Sequence, residues 1–164
     1  VKCYTPMTRD KIIEHIKVYF KIEELVSREV YSAYRNDSWA LLDTETLHCL
    51  LIIRAGIDKP ITVNNWLWDG TFDERGFREN TCDICKKKTK KGKLYTSGHV
   101  LGKAFDFHID GVSSDLVRKW IKDNADLFPC KIRLENKLNG TPISWVHFDT
   151  KYYERNAKVH FFNV

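Results

Sequence analysis

The stretch Ser97-Gly98-His99-Val100-Leu101-Gly102-Lys103-Ala104-Phe105-Asp106-Phe107 constrains this chain more than any other. It places a histidine and an aspartate seven residues apart, with Gly102 between them and small or apolar neighbours on either side. The expected frame is therefore strand–turn–strand or loop–strand. Far downstream, Trp145-Val146-His147-Phe148-Asp149 sets a second histidine in an apolar run. Two imidazoles and one carboxylate make a three-ligand zinc set with a fourth position left for water, the composition of a catalytic rather than a structural site. Ala104 to Phe107 alternates toward a strand, with Asp106 on one face and Phe105 and Phe107 on the other. His108 shares the face of Asp106 by the same period, so it is a rival ligand or a neighbour of one. Gly102 is read as supplying a conformation, or a close backbone approach, that a side chain would block.

A chain of 164 residues fits one domain, and 43% hydrophobic residues place it among globular rather than disordered sequences. The expected division is N-terminal helices over about 9–55 and a zinc-site sheet over about 60–164. The formal charge of +5 is concentrated in Lys86-Lys87-Lys88-Thr89-Lys90-Lys91-Gly92-Lys93. A basic patch favours nucleic acid, membrane or cell-wall polymer, but a lysine run is more often a solvated loop, and that reading is preferred. No apolar run reaches the ~18–20 residues of a membrane-spanning helix, and no signal peptide is read. The start at Val1 rather than Met leaves room for an upstream segment. Cys3, Cys49, Cys82, Cys85 and Cys130 are odd in number, and two lie in apolar surroundings. They do not read as a disulfide framework, and synthesis in a reducing compartment is expected.

Helical spacing of Ile12, Ile13, Ile16, Tyr19 and Phe20 predicts an amphipathic helix over 9–20, and the pattern continues from Ile22 to Ala33 with a break near Lys21. Asp43 or Thr44 caps a helix carrying Leu47, Leu50 and Leu51, which Gly56 is expected to stop. His48 on that helix is read as a surface or core-edge residue. Lys59 to Asn64 reads as a short strand entered through Pro60. The segment from Asn65 to Arg78 holds aromatic residues, two arginines and glycine, the makings of a binding rim. Cys82-x-x-Cys85 lacks a second pair to close a structural zinc site and is read as unligated thiols in a basic loop. Ser113-Ser114-Asp115 caps a core helix without chemical signal. Cys130 to Glu135 and Ile143 to Asp149 are strands joined through Asn139-Gly140, and Ala157 to Phe162 can add another.

The pattern Ser-x-His-x-x-Gly-x-Ala-x-Asp, followed by Trp-x-His, resembles the zinc D-alanyl-D-alanine carboxypeptidase family. That family includes L-alanyl-D-glutamate endopeptidases of phage endolysins and is related to the hedgehog signalling domain. The resemblance covers roughly Phe20 to Asp149 as an order of motifs. It implies an α+β fold: a small, mostly antiparallel sheet carrying the zinc site, with helices packed on one side. It implies that His99, Asp106 and His147 hold Zn2+, with Asp106 favoured over His108, and that an arginine on the rim, Arg75 or Arg78, meets the substrate. Many relatives carry an acidic residue three positions before the last histidine, where this chain has Ser144. Others carry it on the preceding strand, where Glu135 stands; Asp149 is the fallback and otherwise a partner of His147. A plain two-residue turn would pair Glu135 with Ser144 and point it away from the metal. The implied function is zinc-dependent cleavage of amide bonds in peptidoglycan stem peptides, by a phage endolysin or virion-associated enzyme made in a reducing cytoplasm. Two other classes stay open: an inactive zinc-binding module of the same fold, and a nucleic-acid-binding protein, for which no stacking or groove-reading motif is present.

Overall fold

The computed structural model describes residues 7–90, 92 and 94–164; Cys3, Lys91 and Lys93, singled out in the sequence, lie outside the described residues. Helix α1 (Arg9–Ile16) buries Ile12 and Ile16 and ends before the predicted Phe20. Its exit tightens, because the Val18 and Tyr19 amides donate to carbonyls three residues back. The apolar pattern beyond it is split into a single 3-10 turn, Ile22–Glu24, and helix α2 (Arg28–Tyr34), capped where Ser27 Oγ accepts from the Val30 amide.

Helix α3 (Thr44–Ile57) is capped by Asp43, as expected, but Gly56 does not stop it. Asp58 does, in the left-handed conformation at φ 53°. Gly56 serves packing instead: a Cβ there would lie 2.3 Å from a ring carbon of Trp120. Lys59 to Asn64 is not a strand either; only an isolated bridge joins Thr62 to His108. Asn64 turns the segment into an organiser of its neighbours, with Nδ2 donating to the Val26 carbonyl and Oδ1 accepting from the Arg75 amide. Lys86, Lys87 and Lys88 of the lysine run are exposed, but on helix α4 (Asp83–Thr89) rather than in a loop. Helix α5 (Ser114–Asp123) starts at Ser113, whose Oγ accepts from the Leu116 amide.

Strands β1 (Ala104–Phe107), β2 (Ile132–Leu138), β3 (Thr141–Asp149) and β4 (Val159–Asn163) form one sheet in the order β1-β3-β2-β4. β3 is antiparallel to both neighbours, while β4 runs parallel to β2. Phe105, Phe107, Ile132, Leu134, Val146 and Phe148 point to one face and join Ile12, Ile16, Leu47, Leu50, Ile53, Val117 and Ile121 in the buried core. The fold is therefore α+β, with helices covering one side of the sheet. Period two leaves Asp106, Arg133, Glu135, His147 and Asp149 for the other side. Among the described residues, no helix is long and apolar enough to cross a membrane.

Candidate metal centre

The cross-strand register brings the sequence-distant residues together. Asp106 on β1 pairs with His147 on β3, and His147 pairs with Glu135 on β2. Phe162 on β4 completes the row opposite Glu135. His99 arrives from the turn before β1, where Gly102 has φ +69° and lies so close to the Leu41 carbonyl that a Cβ would stand 2.2 Å from its oxygen. Both reasons anticipated for a glycine there therefore apply. The Gly102 carbonyl accepts from the Asp43 amide, and Lys103 Nζ lies 3.0 Å from Asp43 Oδ2, fastening the turn to the start of α3.

The placement of Glu135 contradicts the register expected from a plain turn. Asn139 and Gly140, at φ 50° and 78°, do make a two-residue turn pairing Leu138 with Thr141. The pairing then jumps from Lys137↔Pro142 to Glu135↔His147. Asn136 alone faces residues 143–146, a bulge that turns Glu135 toward the histidine face instead of opposite Ser144. Buried Arg118 on α5 fills the gap in the ladder: its guanidinium donates to the carbonyls of Trp145 at 2.9 Å and Ile143 at 3.2 Å. The helix without chemical signal thus supplies the clasp that sets the register.

At the centre, one donor atom from each of His99, Asp106 and His147 lies within 4.8 Å of the others. His99 Nε2 is 3.2 Å from Asp106 Oδ2, and His147 Nδ1 is 2.6 Å from Asp106 Oδ1. The outer nitrogens are committed elsewhere. His99 Nδ1 lies 2.9 Å from the Gly76 carbonyl, and His147 Nε2 lies 3.3 Å from Asp149 Oδ2. A carbonyl and a carboxylate only accept, so each can take the outer N–H of its ring while the inner nitrogen faces Asp106. With its pKa raised by the carboxylates, His147 donates from Nδ1 to Asp106 as an imidazolium, and a bound cation would take the place of that proton. This donor set fits a divalent metal, and the metal can be held by His99 Nε2, His147 Nδ1 and Asp106.

The charges respond accordingly. Burial works to lower the His147 pKa, but the carboxylates of Asp106 and Asp149 outweigh it and raise the pKa to about 10. Burial works to raise the Asp106 pKa, and the two histidines hold it far below the usual carboxylate range. Asp149, also lowered against its own burial, is gripped by Arg133 through two 2.7 Å bonds from Nε and Nη2. Glu135 goes the other way: burial raises its pKa, reinforced by Asp106 and Asp149 and opposed by His147.

A cleft of about 430 Å3 opens over this set, lined by Glu135, Trp145, Arg78, Lys88, Lys151 and Phe162 among others. Arg75 and Arg78 both reach its neighbourhood, lining an adjoining hollow with Asp106 and Trp145. Arg75 stacks 3.9 Å over Phe72, and its Nη1 lies 2.9 Å from His108 Nδ1. His108 is thereby engaged away from the three ligands. Arg78 is nearly buried, with Glu74 4.0 Å away and its Nε without a partner among the described residues. Cys82, which caps α4, and Cys85 on it are buried free thiols. A larger cavity, about 620 Å3, lies elsewhere, between α3 and Phe128. It holds His48, whose pKa burial lowers, and among the described residues only His99, Asp106 and His147 gather as metal donors.

Sequence reasoning missed Arg118, Arg133, Phe162 and the Gly76 carbonyl. Arg133 was within reach, since it stands two residues before Glu135 and so shares its face. Phe162, edge-on to His147 at 5.9 Å and 4.6 Å below the Arg133 guanidinium, needed the β4 register. Compared with protein-family models, curated proteins and solved structures, the chain matches none.

Proposed function

We propose that this chain is a zinc-dependent peptidase that cleaves amide bonds in peptidoglycan stem peptides. The observation that carries the reading is the row Asp106–His147–Glu135: a carboxylate with a raised pKa beside a two-histidine, one-aspartate donor set, on an open cleft. When bound, zinc lowers the pKa of a coordinated water from ~15.7 toward ~7 and polarises a carbonyl. Glu135 takes the proton of the attacking water and hands it to the leaving amine, a role that needs a pKa nearer neutrality than that of a free glutamate. Asp149, fixed by Arg133, holds the His147 ring in the tautomer that points Nδ1 inward. Arg75 or Arg78 holds a substrate carboxylate or meets the developing oxyanion. In this reading the protein is made in a reducing cytoplasm and acts on the cell wall, as a phage endolysin or virion-associated enzyme.

Hydrolysis of purified stem-peptide fragments by chain loaded with about one zinc, followed as release of new amine groups, is the test. Activity that disappears with zinc in His147→Ala supports the reading. Full zinc occupancy without cleavage of any stem peptide replaces it with the inactive zinc-binding module, which Ser144, exposed on the bulge, favours.

A further inference from the structure

The four described cysteines fall into two pairs of neighbouring sulfurs. Cys82 Sγ lies 3.2 Å from Cys85 Sγ, and Cys49 Sγ lies 3.7 Å from Cys130 Sγ. The first pair sits within one helical turn, and both its thiols are buried. With both side chains buried this pair presents no accessible thiol to an oxidant, and burial with the adjacent Cys82 thiol pushes Cys85 up to about 11.

The second pair is built differently. Cys49 is fully buried on α3, while Cys130 is partly exposed two residues before β2 begins. We propose that Cys49 and Cys130 are a modification site, joined into a disulfide by thiol–disulfide exchange with a small oxidised thiol such as glutathione disulfide. The roles follow from access and acidity. The Cys49 thiol beside Cys130 holds the Cys130 pKa below its ordinary value despite burial, whereas burial raises that of Cys49. Cys130 thiolate attacks one glutathione sulfur, forming a mixed disulfide and displacing one glutathione thiolate. Cys49 gives its proton to that thiolate, attacks the Cys130 sulfur and displaces the second glutathione. Two protein thiols are oxidised and one glutathione disulfide is reduced to two thiols.

The two residues are 81 positions apart, so the bond closes a long loop and removes much of the freedom of the unfolded chain. It ties α3, whose Thr46 hydroxyl meets that of Thr150 at 2.6 Å, to the strand that carries Arg133 and Glu135. A chain synthesised reduced would thus gain its cross-link on reaching an oxidising medium.

The test uses Cys3→Ser protein, which removes the fifth thiol, incubated with glutathione disulfide; free thiols are then alkylated and the peptides mapped. One Cys49–Cys130 link is expected, with Cys82 and Cys85 alkylated. The melting temperature should rise by roughly 10 °C over the reduced protein, as for a long-loop cross-link in a chain of this size. Adding Cys130→Ser should abolish both link and shift. All four thiols remaining alkylatable, or a Cys82–Cys85 link formed in place of the other, overturns the proposal. The map is read on protein with both cysteines intact, so it stands whether or not Cys130→Ser folds.

Discussion

His147 is held from both sides, with Nδ1 toward Asp106 and Nε2 toward an Asp149 that Arg133 grips through two bonds. Asp149→Asn keeps the shape but weakens that grip, so zinc affinity, read by chelator competition, should fall by about 10–100-fold. An unchanged affinity would remove Asp149 from the support of the site. Glu135 makes a second residue-level prediction through its raised pKa. The base must be ionised, so the acid limb of kcat/KM should lie above the ordinary glutamate value of 4.5 and vanish in Glu135→Gln. The sign for stability follows from linkage. A carboxyl whose folded pKa exceeds its unfolded pKa binds its proton more tightly when folded, so stability is lost as pH rises from the unfolded toward the folded value. Metal-free Glu135→Gln should therefore be more resistant to denaturant than wild type at neutral pH, and greater sensitivity would contradict this.

The decisive element is the bulged β2–β3 hairpin. Arg118→Met leaves the carbonyls of Ile143 and Trp145 without their clasp in a buried setting. It should cost about 3 kcal/mol in denaturant unfolding and weaken zinc binding through loss of the Glu135–His147 register. Unchanged stability with unchanged affinity would show that the bulge holds without the guanidinium. This hairpin also marks where the sequence stops being legible. Alternation alone placed Asp106 opposite its phenylalanines, and Asn139-Gly140 announced the turn. The jump in register depends on a donor 25–27 positions away on another element, which no local pattern reports. Gly56 misled for a similar reason: its role is to admit Trp120, a tertiary contact, rather than to end α3. The capping residues Ser27, Asp43 and Ser113 act within three residues of themselves, and of these Asp43 and Ser113 were readable directly.

At the scale of the molecule, the sheet separates two tasks, with an apolar core between strands and helices on one face and a charged donor row on the other. A cation bound to that row stabilises only the folded chain, because the donors converge only there. Zinc at about a hundred times its dissociation constant should add about 2.7 kcal/mol, and chelation should lower the melting temperature by roughly 5–10 °C in a protein of this size. Equal melting with and without chelator would count against a metal-dependent fold. The central claim, that a metal held by His99, Asp106 and His147 works with Glu135 on an amide bond, is tested most directly by one paired measurement. Zinc content and stem-peptide turnover are read on the same preparations of wild type and Glu135→Gln. The account predicts about one zinc per chain in both, with turnover in the variant lower by ~10²–10⁴-fold. Equal turnover at equal zinc content would contradict it.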